Sequence, residues 1–425
     1  MAKNNIITVT CFGIEIGRIG LDENQQKTYF QYNADFLNND VFLNIFPNHS
    51  IVKKTSQTQV YNKFNNDTFK GLPPFIADSL PDVFGNIIFK TWLEANNKNL
   101  NQITVLEQLA YVSNRGMGAI EYLPSKEISS NTAINLNEIT SLVKEVLNSK
   151  NDLKANALNA EALLNVFKIG SSAGGARPKI LISENKTTGE IIPGDIEYAK
   201  DFNHYLVKLS IDEEENFNKE LVEYAYYKHA SFLGIEMMAS HMIEDKHFCT
   251  TRFDRQNGEK KHILTVSGLT GWDFKDPIQS SYENIFDLGL YLKVPYQDIE
   301  QLYKRMVFNV VFCNADDHLK NHSFLFNKNN NAWNLAPAYD ITYPFNPLFN
   351  YKRKTRALSI NNKRTDLSMK DLLHIAEKYT IKQAQNIIAN TLNSIGIWEN
   401  TATEIGVPSK IMESIKKDFV VFDTK

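Results

Sequence analysis

Three oxygen-bearing side chains in the C-terminal half of this 425-residue chain stand at a spacing suited to magnesium-assisted phosphoryl transfer. Asp316 opens the run Asp316-Asp317-His318-Leu319-Lys320-Asn321, and Asp340 closes Ala336-Pro337-Ala338-Tyr339-Asp340, nineteen residues after Asn321. The protein-kinase pattern uses an Asp that orients or accepts the proton of an attacking hydroxyl, an Asn five residues later, and a second Asp beyond a short hairpin. Amide and carboxylate oxygens are hard ligands for Mg2+, which bridges nucleotide phosphates. An isolated Asp more often ends a helix or begins a turn. Here three such groups fall at the needed spacing between the needed element types, which favours chemistry. Asp317 is an adjacent second acid, and the interval to Asn321 selects Asp316.

Two upstream features suit a nucleotide. The small-residue run Ile169-Gly170-Ser171-Ser172-Ala173-Gly174-Gly175-Ala176-Arg177-Pro178-Lys179 leads into an apolar strand. Small residues let the backbone approach a polyphosphate and offer its N–H groups. The run is neither a Walker loop nor a strict kinase glycine loop, and alone it reads as readily as a β-turn. Lys208 lies on the apolar strand His204-Tyr205-Leu206-Val207-Lys208-Leu209, where a lysine normally points to solvent. In a kinase such a lysine faces the cleft and pairs with a Glu on the next helix. Glu220 and Glu223 are the candidates; Glu223 is preferred, because Glu220 suits the first turn of the helix dipole. Phe253, in Phe248-Cys249-Thr250-Thr251-Arg252-Phe253-Asp254-Arg255, could pack beside an adenine or belong to the core. Asp254 and Arg255 are as readily a local ion pair.

The elements that must position these groups follow from periodicity and turn chemistry. Residues 1 to about 60 read as strands: Ile6–Ile19 is β-rich, and Lys27–Tyr32 alternates aromatics. Gly71–Phe75 reads as a loop, Ala77–Glu94 as a helix, and Arg115–Tyr122 as a glycine turn with a short strand. Polar residues 125–160 hold one amphipathic stretch, Ile139–Leu147, and form the best boundary. Strands are expected at Lys179–Ser183, His204–Leu209 and Phe248–Phe253, with a helix at Glu220–Leu233. Helical periodicity then covers Gln297–Phe312, Met369–Lys378 and Ile381–Ile395. A hairpin, His322–Phe326 with Trp333–Leu335, turns at the Asn-rich Asn327–Asn331.

Composition restricts the class. Hydrophobic residues make up 43% and charged residues 22%, ordinary for a globular protein with a sizeable core. A net charge of −3 gives no general attraction to nucleic acid or anionic membranes. Cys11, Cys249 and Cys313 are widely spaced, which suits buried, reduced thiols better than disulfides or a zinc site. The N-terminus lacks a signal-length apolar core, and the apolar run Met306–Cys313 is short and broken by Asn309, so no membrane span is expected.

Taken together, these segments resemble the HipA family of type II toxin–antitoxin kinases along nearly the whole chain. The resemblance rests on Gly71–Phe75, Met117–Tyr122, Ser172–Lys179, Arg252–Arg255, Asp316–Asn321 and Ala336–Asp340, six stretches in the expected order. It implies an α+β, protein-kinase-like two-lobed fold. An N-terminal β-rich subdomain would span residues 1–125, a small lobe with the glycine-rich loop residues 126–255, and an all-α C-terminal lobe, but for the one hairpin, residues 256–425. It further implies Asp316 as the catalytic aspartate, Asn321 and Asp340 as Mg2+ ligands, and Lys179 and Lys208 as nucleotide-contacting lysines. Gly174, Gly175, Ala176, Arg177 and Pro178 would surround the phosphates of ATP. Thr251, Phe253, His318, Lys320 and Tyr339 would complete the site. Ser172, with Ser171 as competitor, would be the autophosphorylated serine, a modification that displaces the loop and switches the kinase off. Thr251 stands where relatives carry a glutamate, and Asp317 where a glycine is frequent.

The resemblance also implies a cytoplasmic ATP-dependent serine/threonine protein kinase acting as a toxin. Its partners would be a helix-turn-helix, HipB-like antitoxin, operator DNA bound through that complex, and a protein substrate such as an aminoacyl-tRNA synthetase. A catalytically weak kinase fold serving as corepressor, or a kinase acting on a small metabolite or lipid head group, are the competing expectations.

Overall fold

The computed structural model describes residues 5–24, 26–39, 43–46, 54–62, 66–81, 83–95, 103–126, 135–148, 177–194, 200–211, 219–346, 351–352 and 355–422. The chain divides into two units. One comprises Met1–Ile211, Cys249–Leu264 and Gly268–Gly271; the other comprises Asp212–Phe248, Thr265–Ser267 and Trp272–Lys425.

Alternation builds the first sheet. In strand β1, Ile6–Cys11, the side chains of Ile7, Val9 and Cys11 face inward and are buried. Phe12 and Gly13 then take φ of 52° and 76°. Two successive left-handed residues form the tight turn whose twist suits a hairpin, and strand β2, Ile14–Asp22, returns alongside. The β-rich stretch expected over Ile6–Ile19 is therefore a hairpin. Strands β3, Lys27–Tyr32, β4, Gln59–Tyr61, and β5, Ile120–Leu123, complete a sheet ordered β4-β3-β2-β1-β5. Gly17 faces Tyr32 in this sheet, where a Cβ would stand 2.3 Å from the Gln31 carbonyl oxygen, so no larger residue fits. Against it packs an aromatic core in which Phe75 meets Phe30 at 5.4 Å and Phe46 at 4.6 Å between ring centroids.

The single helix expected over Ala77–Glu94 is two. Pro74 starts a short helix, Pro74–Ala77, inside the segment read as a loop, because proline is pre-shaped for a first turn. A second helix runs Val83–Ala95. Pro81 between them has no N–H to give to a continuous helix. Helix Val105–Val112 opens on a capping box: the Glu107 amide donates to Thr104 Oγ1, and the Thr104 amide to the Glu107 carboxylate. The amphipathic stretch forms helix Leu136–Asn148, burying Leu136, Ile139, Val143 and Val146.

The second sheet sets side by side β7, Ile191–Pro193, β6, Lys179–Asn185, β8, Phe202–Lys208, and the strand His247–Thr251, in that order. Helices dominate the other unit. They are Lys219–Phe232, Tyr282–Tyr291, Tyr296–Val311, Met369–Lys378, Ala384–Asn393, Ile395–Ile405 and Ser409–Lys416, and helix Tyr296–Val311 packs against the hairpin Ser323–Asn327 and Ala332–Leu335. Tyr226 anchors their core: its ring meets Trp398 edge-on at 5.7 Å, and its hydroxyl donates to the Phe312 carbonyl at 2.7 Å. The three cysteines are free thiols; Cys11 and Cys249 are buried, whereas Cys313, just past a helix end, is half-buried. Among the described residues, no helix is long and apolar enough to cross a membrane.

Candidate active site

Helix Tyr296–Val311 delivers the chain to the acidic loop. It ends at Phe312, and Cys313 takes a left-handed φ of 57°, which turns the chain out of the helix axis. The loop then closes on itself. The His318 amide donates to the Asp316 carbonyl at 2.9 Å, and the Asn321 amide to the His318 carbonyl at 2.8 Å. The Asn321 side-chain nitrogen also donates to the Asp316 carbonyl, at 2.9 Å. That bond fixes which way the carboxamide faces, leaving Oδ1 as the Asn321 atom suited to a metal.

The hairpin returns Asp340 to this loop. Its ladder pairs Phe324 with Leu335, and the Ala336 amide donates to the Ser323 carbonyl at 2.9 Å. Three residues on, the Tyr339 hydroxyl donates to the Lys320 carbonyl at 2.8 Å and pairs with Ser323 Oγ. The residue before Asp340 is thus bonded to the residue before Asn321. Arg305, buried on the preceding helix, donates to the Ala336 carbonyl at 2.7 Å, and the Ala338 amide donates to the Glu236 carbonyl at 2.8 Å. Asp340 itself has φ of 55°. A left-handed non-glycine backbone costs on the order of 1–2 kcal/mol, and such strain collects at functional sites.

The two adjacent acids have different surroundings. Asp317 is 1% exposed, accepts from the Tyr282 hydroxyl at 2.6 Å, and is ion-paired with Arg356. Asn309 donates to the Tyr282 oxygen at 2.9 Å, and Asn314 donates to Asn309 Oδ1 at 3.1 Å. Arg356 also donates to the carbonyls of Asn309 at 2.9 Å and Asn314 at 3.2 Å. Burial works against the Arg356 charge, but the Asp317 carboxylate outweighs it and holds the guanidinium above its usual pKa. Burial, with Asp317 nearby, pushes the Tyr282 hydroxyl far up, so it stays a donor. Asp317 is committed to this interior network, whereas Asp316 is half-buried.

Around the loop, Phe274 lies with its ring centroid 5.0 Å from that of His318, and Lys320 Nζ stands 5.7 Å from the Phe274 centroid. Glu223 and Glu220 on helix Lys219–Phe232 are both buried, at 2% and 7% exposure, so burial does not separate them.

In the β-rich unit, Lys179 and Lys208 are direct partners in the β6–β8 register, and both are buried. Opposed residues of an antiparallel pair project to the same face, so this sheet presents two ammonium groups together. Arg177 and Pro178 precede β6, and the Leu209 amide donates to the Pro178 carbonyl at 2.9 Å. Thr251 and Phe253 are half-buried. Ser171, Ser172, Gly174, Gly175 and Ala176 lie outside the described residues.

The possible local pair of Asp254 and Arg255 is a larger device. Asp254 is fully buried and accepts from Arg252 Nε and Nη2 at 2.9 and 2.8 Å, from Arg255 Nη1 at 2.8 Å, and from the Gly118 amide at 2.9 Å. Arg255 returns two bonds to the same glycine turn, to the Gly116 and Gly118 carbonyls. Two of the sequence stretches that carry the family resemblance, Met117–Tyr122 and Arg252–Arg255, therefore hold each other.

Arg356, Tyr282 and Phe274 escaped the sequence reading. One signal was available: Asn309 interrupts the apolar run Met306–Cys313, and a polar group on a buried helix face needs a partner.

The donor set fits magnesium. Asn321 Oδ1 and the Asp340 carboxylate are hard oxygens, and Mg2+ ordinarily completes its octahedron with phosphate oxygens and water. Among the described residues, no group of three or more His, Cys, Asp or Glu could hold a metal ion unaided.

Comparison with known proteins adds to this geometry. Residues 7–123 match the HipA N-terminal domain, and residues 171–416 match the HipA-like C-terminal domain. No curated protein matches the chain by sequence. HipA in the Shewanella oneidensis MR-1 toxin–antitoxin complex of HipA, HipB and operator DNA is 15% identical. The alignment covers 97% of this chain and 94% of that one with a TM-score of 0.63, a likeness of fold. The Helicobacter pylori proinflammatory kinase CtkA is 13% identical over 58% of this chain and 90% of that one. Its TM-score, 0.34, is too low to carry weight.

Proposed function

The chain belongs to the HipA family, and on that footing we propose that it is an ATP-dependent serine/threonine protein kinase acting as the toxin of a toxin–antitoxin pair. The observation that carries the reading is the bonding of the hairpin to the acidic loop. Tyr339 reaches Lys320, and Asn321 reaches Asp316, so the two segments that carry the three oxygen groups are tied together.

In this reading Asn321 Oδ1 and the Asp340 carboxylate would hold Mg2+, which when bound would supply positive charge to offset that of the nucleotide phosphates. Asp316 accepts a hydrogen bond from the substrate serine or threonine hydroxyl and takes its proton as the new O–P bond forms. The bond from the γ-phosphorus to the ADP oxygen breaks in the same displacement. Most of the acceleration comes from positioning and fixed charge. Lys179 and Lys208 bind phosphate oxygens, and Glu223 orients a phosphate-binding lysine. Gly174 to Pro178 line the phosphates; Thr251, Phe253, His318, Lys320 and Tyr339 complete the nucleotide site. Ser172, with Ser171 as its competitor, is the autophosphorylation site in this reading. The functional divisions are residues 1–125, 126–255 and 256–425. A HipB-like helix-turn-helix antitoxin, and operator DNA through it, are the partners this reading assigns, with a translation component such as an aminoacyl-tRNA synthetase as substrate.

The test is a cell-wide comparison of phosphorylated proteins after expression of wild type and Asp316→Asn. A serine or threonine phosphopeptide enriched only with wild type, together with growth arrest, is expected. Identical phosphopeptide profiles would overturn the proposal.

A further inference from the structure

We propose that Arg356 is a positioning residue of this site, its guanidinium holding Asn314 and Asp317 on either side of Asp316 so that the Asp316 carboxylate meets the acceptor hydroxyl; the inference rests on the kinase reading above. Two consecutive residues make the hold. The Ala357 amide donates to the Ala315 carbonyl at 2.9 Å, and the Arg356 guanidinium pairs with the Asp317 carboxylate. Asp316 lies between those anchor points. Arg356 also fixes where the loop leaves its helix, through the Asn309 and Asn314 carbonyls.

The anchoring segment is itself braced. Arg364 donates to the carbonyls of Arg356 at 3.1 Å and of Ala357, and to those of Pro277 at 2.7 Å and Ser280 at 2.8 Å. The Arg356 amide returns a bond to the Arg364 carbonyl at 3.1 Å. Asp317 is drawn inward to 1% exposure, while the neighbouring Asp316 is half-buried. Displacing a catalytic group by about 1 Å costs on the order of a hundredfold in rate. Arg356 has the fork needed to serve two carbonyls and a carboxylate at once, which a lysine ammonium does not reproduce.

The experiment uses the full chain, with Mg2+ and γ-labelled ATP. Arg356→Lys keeps the charge. The double variant Arg356→Gln with Asp317→Asn removes both charges together and leaves no buried ion unpaired. Turnover of each variant should fall about 30- to 300-fold. The calorimetric Kd for MgATP should stay within about threefold, and the thermal midpoint should stay close to wild type in the double variant. The single neutral substitutions should each cost as much turnover as the pair combined, because they break one unit. Turnover within threefold of wild type in either folded variant overturns the proposal. So does a loss carried by ATP affinity instead of turnover, or losses that multiply across the pair. Failure of the kinase reading looks different: wild type itself transfers no label, or Asp316→Asn transfers as much as wild type, and either result also removes this inference.

Discussion

Replacing Asp254 by alanine has a cost that can be worked from the structure. The carboxylate is fully buried, and the two arginine side chains it serves are each 1% exposed. Removing one partner of a buried ion pair costs about 3–5 kcal/mol, chiefly because a charge is left unmatched. Two guanidiniums are stranded here, but the costs do not double. Arg252 keeps the Gly194 carbonyl at 3.2 Å, and Arg255 keeps the carbonyls of Gly116, Gly118 and residue 254. The expected loss is therefore about 3–5 kcal/mol in all, a large share of the ~5–15 kcal/mol that stabilises a typical domain. Urea unfolding at pH 7, followed by circular dichroism, measures it. Burial alone would raise the Asp254 pKa, but Arg252, Arg255 and the Gly118 amide outweigh it and hold the carboxyl well below the usual carboxylate range. A carboxyl depressed in the folded state contributes stability above its unfolded pKa of about 4, and that contribution is lost as the pH falls below it. Wild type should lose stability below about pH 4 more steeply than the variant. Asp254→Ala unfolding within about 0.5 kcal/mol of wild type at pH 7 would refute the reasoning, since that is the range of an ordinary surface change.

Two further outcomes follow from the same geometry. His262 is fully buried, with Nε2 donating to the Ile45 carbonyl at 3.2 Å and Nδ1 3.7 Å from Cys11 Sγ, and burial lowers the imidazole pKa to about 3. The unfolded chain binds this proton near pH 6.5 and the folded chain does not, so stability drops as the pH falls from there; by pH 5 the loss is about 2 kcal/mol. A His262→Gln variant should lose correspondingly less between pH 7 and 5 in urea titrations, and parallel curves would contradict the assignment. Asp340→Asn removes the charged member of the proposed ligand pair. Calorimetry should show magnesium-dependent ATP binding weakened by about tenfold or more, with metal-free ATP binding little changed.

What the sequence disclosed was local. Helix Met369–Lys378 stands where its periodicity placed it, and the Asn-rich turn marked the hairpin to within one residue at either side. Errors arose where one residue overrides a pattern spanning many. Pro81 divides the stretch Ala77–Glu94, and Ile381–Ile395 becomes helix Ala384–Asn393 with a fresh helix beginning at Ile395 after the Ser394 cap. The spacing of Asp316 and Asn321 to Asp340 was readable because a hairpin has a fixed reach. The partners that distinguish Asp317 from Asp316 were not: Arg356 lies 39 residues away, and Tyr282, at the start of helix Tyr282–Tyr291, lies 35 away. The same holds for Asp254 and Gly118, 136 residues apart, whose pairing no local period encodes.

The most direct measurement is transfer of label from γ-labelled ATP by the purified full chain in the presence of Mg2+, comparing wild type with Asp316→Asn. Phosphorylated serine or threonine should accumulate with wild type and fall by about 100-fold or more in the variant. Undiminished transfer by Asp316→Asn would contradict the account.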